Sequence, residues 1–274
     1  MATESTWVRA PGSHLVAITR WAVPAEQELG HLAAILGGTA YDLRLRIMGE
    51  PPVVLVNRLS PESALALLNE IRARGHGAVV CDQTQVKASS EMFLPRDFSF
   101  GPETLTLTGH SNHPGIILAY DLIAALVLAT QAIEVISEEQ HKGKKFSAAR
   151  TVATGGLVRS RKVKKQIRSE QAERESVLYL FCRTDPKHIF LQESRMHYLG
   201  LAEHKCPTRL ENFATLVRLL RERAPAALFD DRLSKHMRQT QFATSAGAAS
   251  SSTTTHSNTS QNDLAAWLIA LGTL

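Results

Sequence analysis

One short stretch of this chain, the segment 142–169, contains ten lysine and arginine residues and no aspartate or glutamate. Cations at this density could bind an anionic partner through charge-assisted hydrogen bonds. They could equally form a solvated loop with no binding role, because runs of like charge are usually solvated. The ten candidate binding residues are Lys142, Lys144, Lys145, Arg150, Arg159, Arg161, Lys162, Lys164, Lys165 and Arg168.

Two apolar residues of this segment, Val163 and Ile167, are four positions apart, which would place them on one face of a helix. A basic helix with an apolar face is typical of segments that bind a membrane surface or a partner protein. Phe146 is the one aromatic residue of the segment, so stacking of single-stranded bases is poorly supported. The expected partner is therefore an acidic protein or an anionic lipid surface, with nucleic acid as the alternative.

Residues suited to metal binding or nucleophilic catalysis do not form a usable pattern. Zinc needs three or four ligands at a suitable spacing, and neither His110 with His113 nor His204 with Cys206 supplies them. Cys182 lies in an apolar run, where a thiol behaves as a small hydrophobic side chain. There is no G-x-S-x-G motif, and the glycine pair beside the basic residues lacks the spacing of a phosphate-binding loop. We expect a non-enzymatic protein without metal or cofactor.

The basic character belongs to this one segment. The 274-residue chain has a net charge of +5, but outside the segment the remaining 21 Lys and Arg residues are outnumbered by 26 Asp and Glu residues. A uniformly basic coat for nucleic acid is therefore excluded. Three scattered cysteines and the lack of a secretion signal predict a cytoplasmic location, free or at a membrane surface.

An apolar stretch at 115–136 imitates a membrane span, but it contains Asp121, which is costly in a bilayer. We predict no transmembrane segment. The stretch is expected to form a strand, a bend at Tyr120 and Asp121, and a second strand.

The first part of the chain alternates between strand and helix patterns. Strands are predicted at 14–21, 41–48, 53–59 and 77–82, and helices at 25–36 and 61–74. The strand at 41–48 is predicted from strict alternation of apolar and polar residues. The resulting β-α-β-β-α-β order is that of a ferredoxin-like domain, for which we predict the limits 12–90.

The second part contains short apolar strands followed by a helix whose Thr208 and Glu211 form a capping-box pattern. This order, with the passage at 117–129, resembles the bacterial pleckstrin-homology-like barrels over roughly 96–230. The resemblance implies a β-barrel closed by a C-terminal helix, and a binding module rather than an enzyme. The fold prediction is therefore α+β, a ferredoxin-like (βαββαβ) domain followed by a pleckstrin-homology-like domain at 95–235 with a basic insertion at 138–175.

The last part changes composition. Residues 239–262 are rich in Ser, Thr and Ala and are predicted to be a disordered linker. Residues 263–274 form a short apolar tail that could dock on its own domain, dock on a partner or remain a frayed end. The docking residues would be Leu264, Trp267, Leu268 and Leu271.

Overall fold

The computed structural model describes residues 13–47, 49–109, 115–146, 160–184, 187–235, 244–248 and 251–272 of the chain. This part is mixed α+β, as predicted, and its strands form three sheets. The chain divides into two compact units. Unit 1 contains Met1–Thr130, Glu175–Met237 and Thr259–Leu274, and unit 2 contains Gln131–Arg174 and Arg238–Asn258. The predicted domain limits at 90 and 95 both fall inside unit 1.

The first sheet of unit 1 has three strands. They are β1 (His14–Arg20), β2 (Val53–Leu59) and β3 (Gly77–Asp82). β1 lies in the middle and is antiparallel to both neighbours, so the order is β2-β1-β3. The helices of this region are α1 (Ala25–Leu36), α2 (Ala40–Ile47) and α3 (Pro61–Ala73).

Local sequence signals determine where α1 ends and where α3 begins. α1 ends at Gly37, which has a left-handed φ of 68° and whose N–H donates to the Ala33 carbonyl. α3 begins after Ser60, whose hydroxyl accepts the Ser63 N–H at 3.2 Å, with Pro61 at the first helical position. Both predicted helices are confirmed.

The predicted strand at 41–48 is wrong, because this segment forms helix α2. Leu43 and Ile47 are buried, whereas Tyr41 and Leu45 are 71% and 59% exposed. Residues four apart share a face of a helix, so the alternating sequence supplies one buried pair and one exposed pair. The described order of this region is therefore β-α-α-β-α-β, with three strands instead of four.

Both faces of the first sheet are covered. Val16 and Ile18 of β1 pack in a cluster with residues of the three helices, including Leu32 and Ile71. On the opposite face, Leu15 and Ala17 belong to a second cluster that continues into later strands and the last helix. Alternate residues of β1 thus enter two different cores, as the pleat of a strand requires.

A second sheet of unit 1 is an antiparallel meander. It consists of β4 (Asp97–Phe100), β5 (Thr104–Thr108) and β6 (Ile116–Ala119). β6 leads through a 3₁₀ turn at Tyr120–Leu122 into β7 (Ile123–Phe146), so the predicted strand, bend and strand are confirmed.

The third sheet contains the longest strands. β8 (Ser160–Cys182) lies between β7 and β9 (Ile189–Gln192), and β10 (Leu228–Asp230) pairs in parallel with β7 at Ala125, Leu126 and Val127. The end of β8 is buried on both faces, as predicted, because Val177 and Tyr179 enter one core while Leu178 and Leu180 enter another.

Helix α4 (Arg209–Arg223) covers the core that the second and third sheets share in unit 1. The predicted capping box is confirmed: the Glu211 N–H donates to the Thr208 hydroxyl at 3.2 Å, and the Thr208 N–H donates to the Glu211 carboxylate at 3.2 Å. Phe213 is 1% exposed at the centre of the apolar stripe of α4.

The described strands form three separate sheets rather than one closed barrel. A short helix, α5 (Arg232–Lys235), follows.

The predicted disordered linker at 239–262 is wrong in its described part. β11 (Thr244–Ala248) and β12 (Ser251–Ser257) form an antiparallel pair, and helix α6 (Thr259–Ala270) follows. β12 also pairs with β7, from Ile133 to Glu139. Backbone pairing with β7 satisfies the polar groups of a segment that has few apolar side chains to bury, and threonine favours strands.

Candidate functional site

The structure divides the basic segment between two neighbouring strands. Three of its cations lie on β7 and five on β8. Those on β7 are Lys142, Lys144 and Lys145, and those on β8 are Arg161, Lys162, Lys164, Lys165 and Arg168. The remaining two, Arg150 and Arg159, lie outside the described residues. The fold therefore places on adjacent strands of one sheet two groups of cations that are separated along the chain.

Charge is segregated along these two strands. β7 carries its acidic residues at Glu134, Glu138 and Glu139, and its cations follow at 142–145. β8 carries cations at 161–168 before its acidic residues at 170–175. The pairing of β7 with β12 ends at Glu139, and β8 is the other neighbour of β7 in the sheet order. We call residues 140–146 of β7 together with residues 160–168 of β8 the basic ribbon.

The predicted helical presentation of Val163 and Ile167 is wrong, because both residues lie within β8. A strand rises about 3.3 Å per residue, more than twice the rise of a helix. The five cations of β8 are therefore spread over about 23 Å along the strand. The described part of the basic segment is therefore extended and not helical.

The four residues predicted as a docking tail belong to helix α6, within the core of unit 1. Leu268 and Trp267 are 1% and 8% exposed, and Leu264 and Leu271 pack against the same cluster. The Trp267 ring meets the rings of Phe181 and His188 edge-on, with centroid distances of 5.8 and 5.2 Å. The tail residues are thus occupied by their own chain, and a partner that docked on them would have to displace this packing.

The buried carboxylate of Asp263 links the first turn of α6 to other parts of unit 1 through hydrogen bonds. Asp263 accepts a hydrogen bond from the Tyr179 hydroxyl at 2.7 Å, and from the N–H and the hydroxyl of Ser89 at 3.0 and 3.2 Å. Burial raises the pKa of Asp263 above its ordinary value of 3.8, and the hydrogen bonds from Ser89 and Tyr179 oppose that shift. Burial, reinforced by the Asp263 charge, also raises the pKa of Tyr179.

A second buried cluster joins α1 to the end of α3. Arg74 donates two hydrogen bonds to the Glu28 carboxylate, at 2.7 and 2.9 Å. His76 accepts the Ala22 N–H at Nδ1 and places Nε2 3.6 Å from Glu28. The hydrogen bonds from Arg74 hold the pKa of Glu28 below its ordinary value of 4.5. This geometry indicates a structural role, in which the cluster links α1 to the end of α3, because the His76 imidazole and the Glu28 carboxylate are both buried.

The histidine and cysteine candidates do not gather into a metal or catalytic site in the described residues. No group of three or more metal-ligating side chains occurs there. Cys182 is buried in β8, while Cys206 is half-buried and lies 3.7 Å from the Thr215 hydroxyl. His110 and His113 lie outside the described residues.

Comparisons with known proteins add no assignment. No family model matches the chain, and no curated protein and no solved structure shows significant similarity to it. Among the residues that the structure describes, no helix combines the length and the apolar character needed to cross a bilayer.

Proposed function

We propose that this protein is a non-enzymatic interaction module that binds an acidic protein or an anionic membrane surface through the basic ribbon. The observation that carries the proposal is the segregation of charge along the neighbouring strands β7 and β8. It leaves three cations at 140–146 and five at 160–168 without an interspersed carboxylate. A solvated strand pair gains nothing from such segregation, because like charges on neighbouring strands repel one another. An anionic partner converts that repulsion into attraction.

The ribbon also makes duplex nucleic acid a second candidate partner. The major groove of B-DNA is about 12 Å wide and admits a two-stranded β-ribbon. Lysine and arginine side chains on such a ribbon can neutralise phosphates on either side of the groove. Single-stranded nucleic acid is less favoured, because Phe146 is the one aromatic residue of the basic segment and unpaired bases bind by stacking on several aromatic rings.

The partner classes can be separated by titrating the full chain with four probes. These are labelled polyglutamate, phosphatidylserine vesicles, labelled duplex DNA of mixed sequence, and labelled single-stranded RNA, with phosphatidylcholine vesicles as the uncharged control. We expect saturable binding to polyglutamate or to the phosphatidylserine vesicles, lost as salt is raised from 0.1 to 1 M. Tightest binding to duplex DNA would establish the second candidate instead. Equal, negligible binding to all probes would refute an anion-binding function.

We further propose that the two halves of unit 1 are variants of the ferredoxin-like and pleckstrin-homology-like arrangements. For the first, the supporting feature is that β2, α3 and β3 form a split unit around β1. For the pleckstrin-homology-like arrangement, the supporting feature is that two sets of three strands are followed by α4 on a shared core.

We propose a cytoplasmic location, free or at a membrane surface, supported by the three scattered cysteines.

A further inference from the structure

A groove runs along one face of helix α4 within unit 1. Two adjoining cavities form it, with volumes of about 420 and 250 Å³, and both are lined by Arg218, Arg221 and Phe229. The groove extends from Leu210 near the start of the helix to Ala224 after its end. At 1.5 Å per helical residue this is about 21 Å, the length of roughly six residues of extended peptide at 3.3 Å each.

One half of the groove is apolar. Leu210, Phe213 and Val217 contribute one helical face, and Leu128 of β7 lies opposite them. Leu210 is 61% exposed, although it belongs to the same stripe as Phe213, which is fully buried. A leucine exposed at the rim of an apolar groove supplies contact area to an incoming apolar side chain.

Four charged residues line the groove, and three of them have an ion-pair partner. Arg218 donates to Glu222 at 2.7 Å, and Lys235 donates to Asp231 at 2.9 Å. Arg221 has neither an ion pair nor a hydrogen bond to a described residue through its guanidinium. The charges of the lining balance in number, and Arg221 is the charged residue whose N–H donors have no partner among the described residues.

The stacking of Arg221 on Phe229 holds its guanidinium in an orientation in which it can donate hydrogen bonds to a carboxylate. Its guanidinium carbon lies 3.9 Å from the centre of the Phe229 ring. Stacking on a ring uses the flat face of a guanidinium and leaves its N–H donors available for two parallel hydrogen bonds. The same contact limits the rotamers of a long side chain, so less conformational entropy is lost when a ligand binds.

We propose that this groove binds an extended peptide of a partner protein in which apolar and acidic residues lie close together. An apolar side chain of the peptide packs against Leu210 and Val217, and a carboxylate of the peptide pairs with Arg221. This site is separate from the basic ribbon, which contains no residue of the groove. It would give the protein selectivity for apolar as well as acidic character, which a purely cationic ribbon lacks.

The test uses an acetylated and amidated hexapeptide, Leu-Ser-Leu-Ser-Glu-Ser, that carries a neutral fluorophore and places Leu and Glu on one face of an extended chain. The peptide with Gln in place of Glu is its uncharged counterpart. Binding to the full chain is measured by fluorescence anisotropy. We expect the Leu and Glu peptide to bind and the Leu and Gln peptide to bind at least about tenfold more weakly, the usual value of a charge-assisted hydrogen bond. If the acidic peptide fails to bind, or if the uncharged peptide binds equally well, the proposal is wrong.

Matched variants locate the site. Arg221→Gln should weaken binding by at least about tenfold. Arg223→Gln should not, although Arg223 is on the same helix and stacks on Phe100 at 4.4 Å, because it does not line the groove. Equal losses in the two arginine variants, or no loss in Arg221→Gln, would place the peptide elsewhere.

A second pair of variants tests the apolar half. Leu210→Ser should weaken binding severalfold, whereas Leu199→Ser, which alters another exposed leucine outside the groove, should have no effect. All four altered residues are exposed or partly exposed, and unchanged melting curves check that the variants fold.

A chain whose ribbon cations on β8 are replaced by Gln should still bind the peptide. Loss of binding there would mean that the ribbon holds the peptide, which contradicts the proposal.

Discussion

Among single residues, Glu28 is the group whose ionisation has the clearest consequence for stability. Its carboxylate is buried, and Arg74 donates two hydrogen bonds to it. Because these bonds lower its pKa in the folded state, the folded protein holds the carboxylate ionised at a pH where the unfolded chain has begun to bind a proton. The stability from this pair is therefore present above the ordinary pKa of 4.5 and is lost as pH falls through the lowered value.

Replacing Glu28 by Gln should remove that dependence. We expect Glu28→Gln to lower the free energy of unfolding by roughly 1–3 kcal/mol at pH 7, because a charged hydrogen-bond partner of Arg74 is lost. The difference between the variant and the parent should shrink as the pH is lowered below 4.5. Urea unfolding at a series of pH values measures both effects.

Glu26 provides the control for this measurement. It lies in the first turn of the same helix α1, but it is exposed. Glu26→Gln makes the same change in charge near the same helix end and should alter stability by less than about 1 kcal/mol. If Glu26→Gln and Glu28→Gln showed the same loss and the same pH profile, the helix dipole and not the Arg74 pair would account for it.

Residues that act through their near neighbours could be predicted from the sequence, and those that act at a distance could not. Thr208 caps a helix through Glu211, three residues away. Asp263, by contrast, meets Tyr179 and Ser89, which are 84 and 174 positions away in the chain. Its sequence surroundings are a polar stretch followed by an apolar run, which gives no indication of either partner.

At the scale of elements, helix α2 shows how one pattern can satisfy two structures. The alternation at 41–47 fits a strand, yet it also gives a helix one buried and one exposed face. The deciding signal is local: the Thr39 hydroxyl accepts the Asp42 N–H at 3.1 Å and donates to the Asp42 carboxylate at 2.7 Å. This T-x-x-D spacing is a helix-start signature that is visible in the sequence.

Strands β11 and β12 could not be predicted from their own residues. Their Ser, Thr and Ala side chains show no apolar alternation, and β12 pairs with a segment of β7 more than a hundred positions earlier. The same limitation applies to the groove on α4. The apolar stripe of that helix was evident, but the exposed position of Arg221 over Phe229 depends on where β10 returns to the sheet.

Helix α4 should carry a measurable share of the stability of unit 1. Phe213 is 1% exposed in its central stripe, so Phe213→Ala should cost about 3–5 kcal/mol. Thr208→Ala should cost about 1 kcal/mol, because it removes the cap from the helix. Leu210→Ala is the control, and we expect a change below about 1 kcal/mol at this exposed position. A Phe213→Ala variant with the melting curve of the parent would contradict the packing of α4 on this core.

Helix α6 can be monitored by fluorescence, because Trp267 lies within it. A chain with Trp7→Phe and Trp21→Phe retains Trp267 as its one tryptophan. We expect blue-shifted emission in native buffer and a red shift on unfolding in urea, since the indole is 8% exposed among Phe181 and His188. Emission typical of a solvated indole in native buffer would show that α6 is not packed as described.

For the molecule as a whole, the distribution of charge matters more than its total. The net charge of the chain is +5, and replacing the five cations on β8 by neutral residues would bring that net charge to zero. A loss of binding could therefore reflect either the ribbon or the overall charge. A control with the same net charge separates the two explanations. Five exposed cations elsewhere in the described chain suit this purpose: Arg44, Lys87, Arg195, Lys205 and Arg209.

The most direct test of the proposed function compares these two neutralised chains. The ribbon variant replaces Arg161, Lys162, Lys164, Lys165 and Arg168 by Gln, and the control replaces the five cations elsewhere. Both are titrated in 0.1 M salt against whichever anionic probe the parent binds best. A cation near an anionic surface contributes roughly 1 kcal/mol. We therefore predict at least about a hundredfold weaker binding for the ribbon variant and a much smaller change for the control. Equal affinities of the two variants, whether both are retained or both are lost, would contradict a binding role for the basic ribbon.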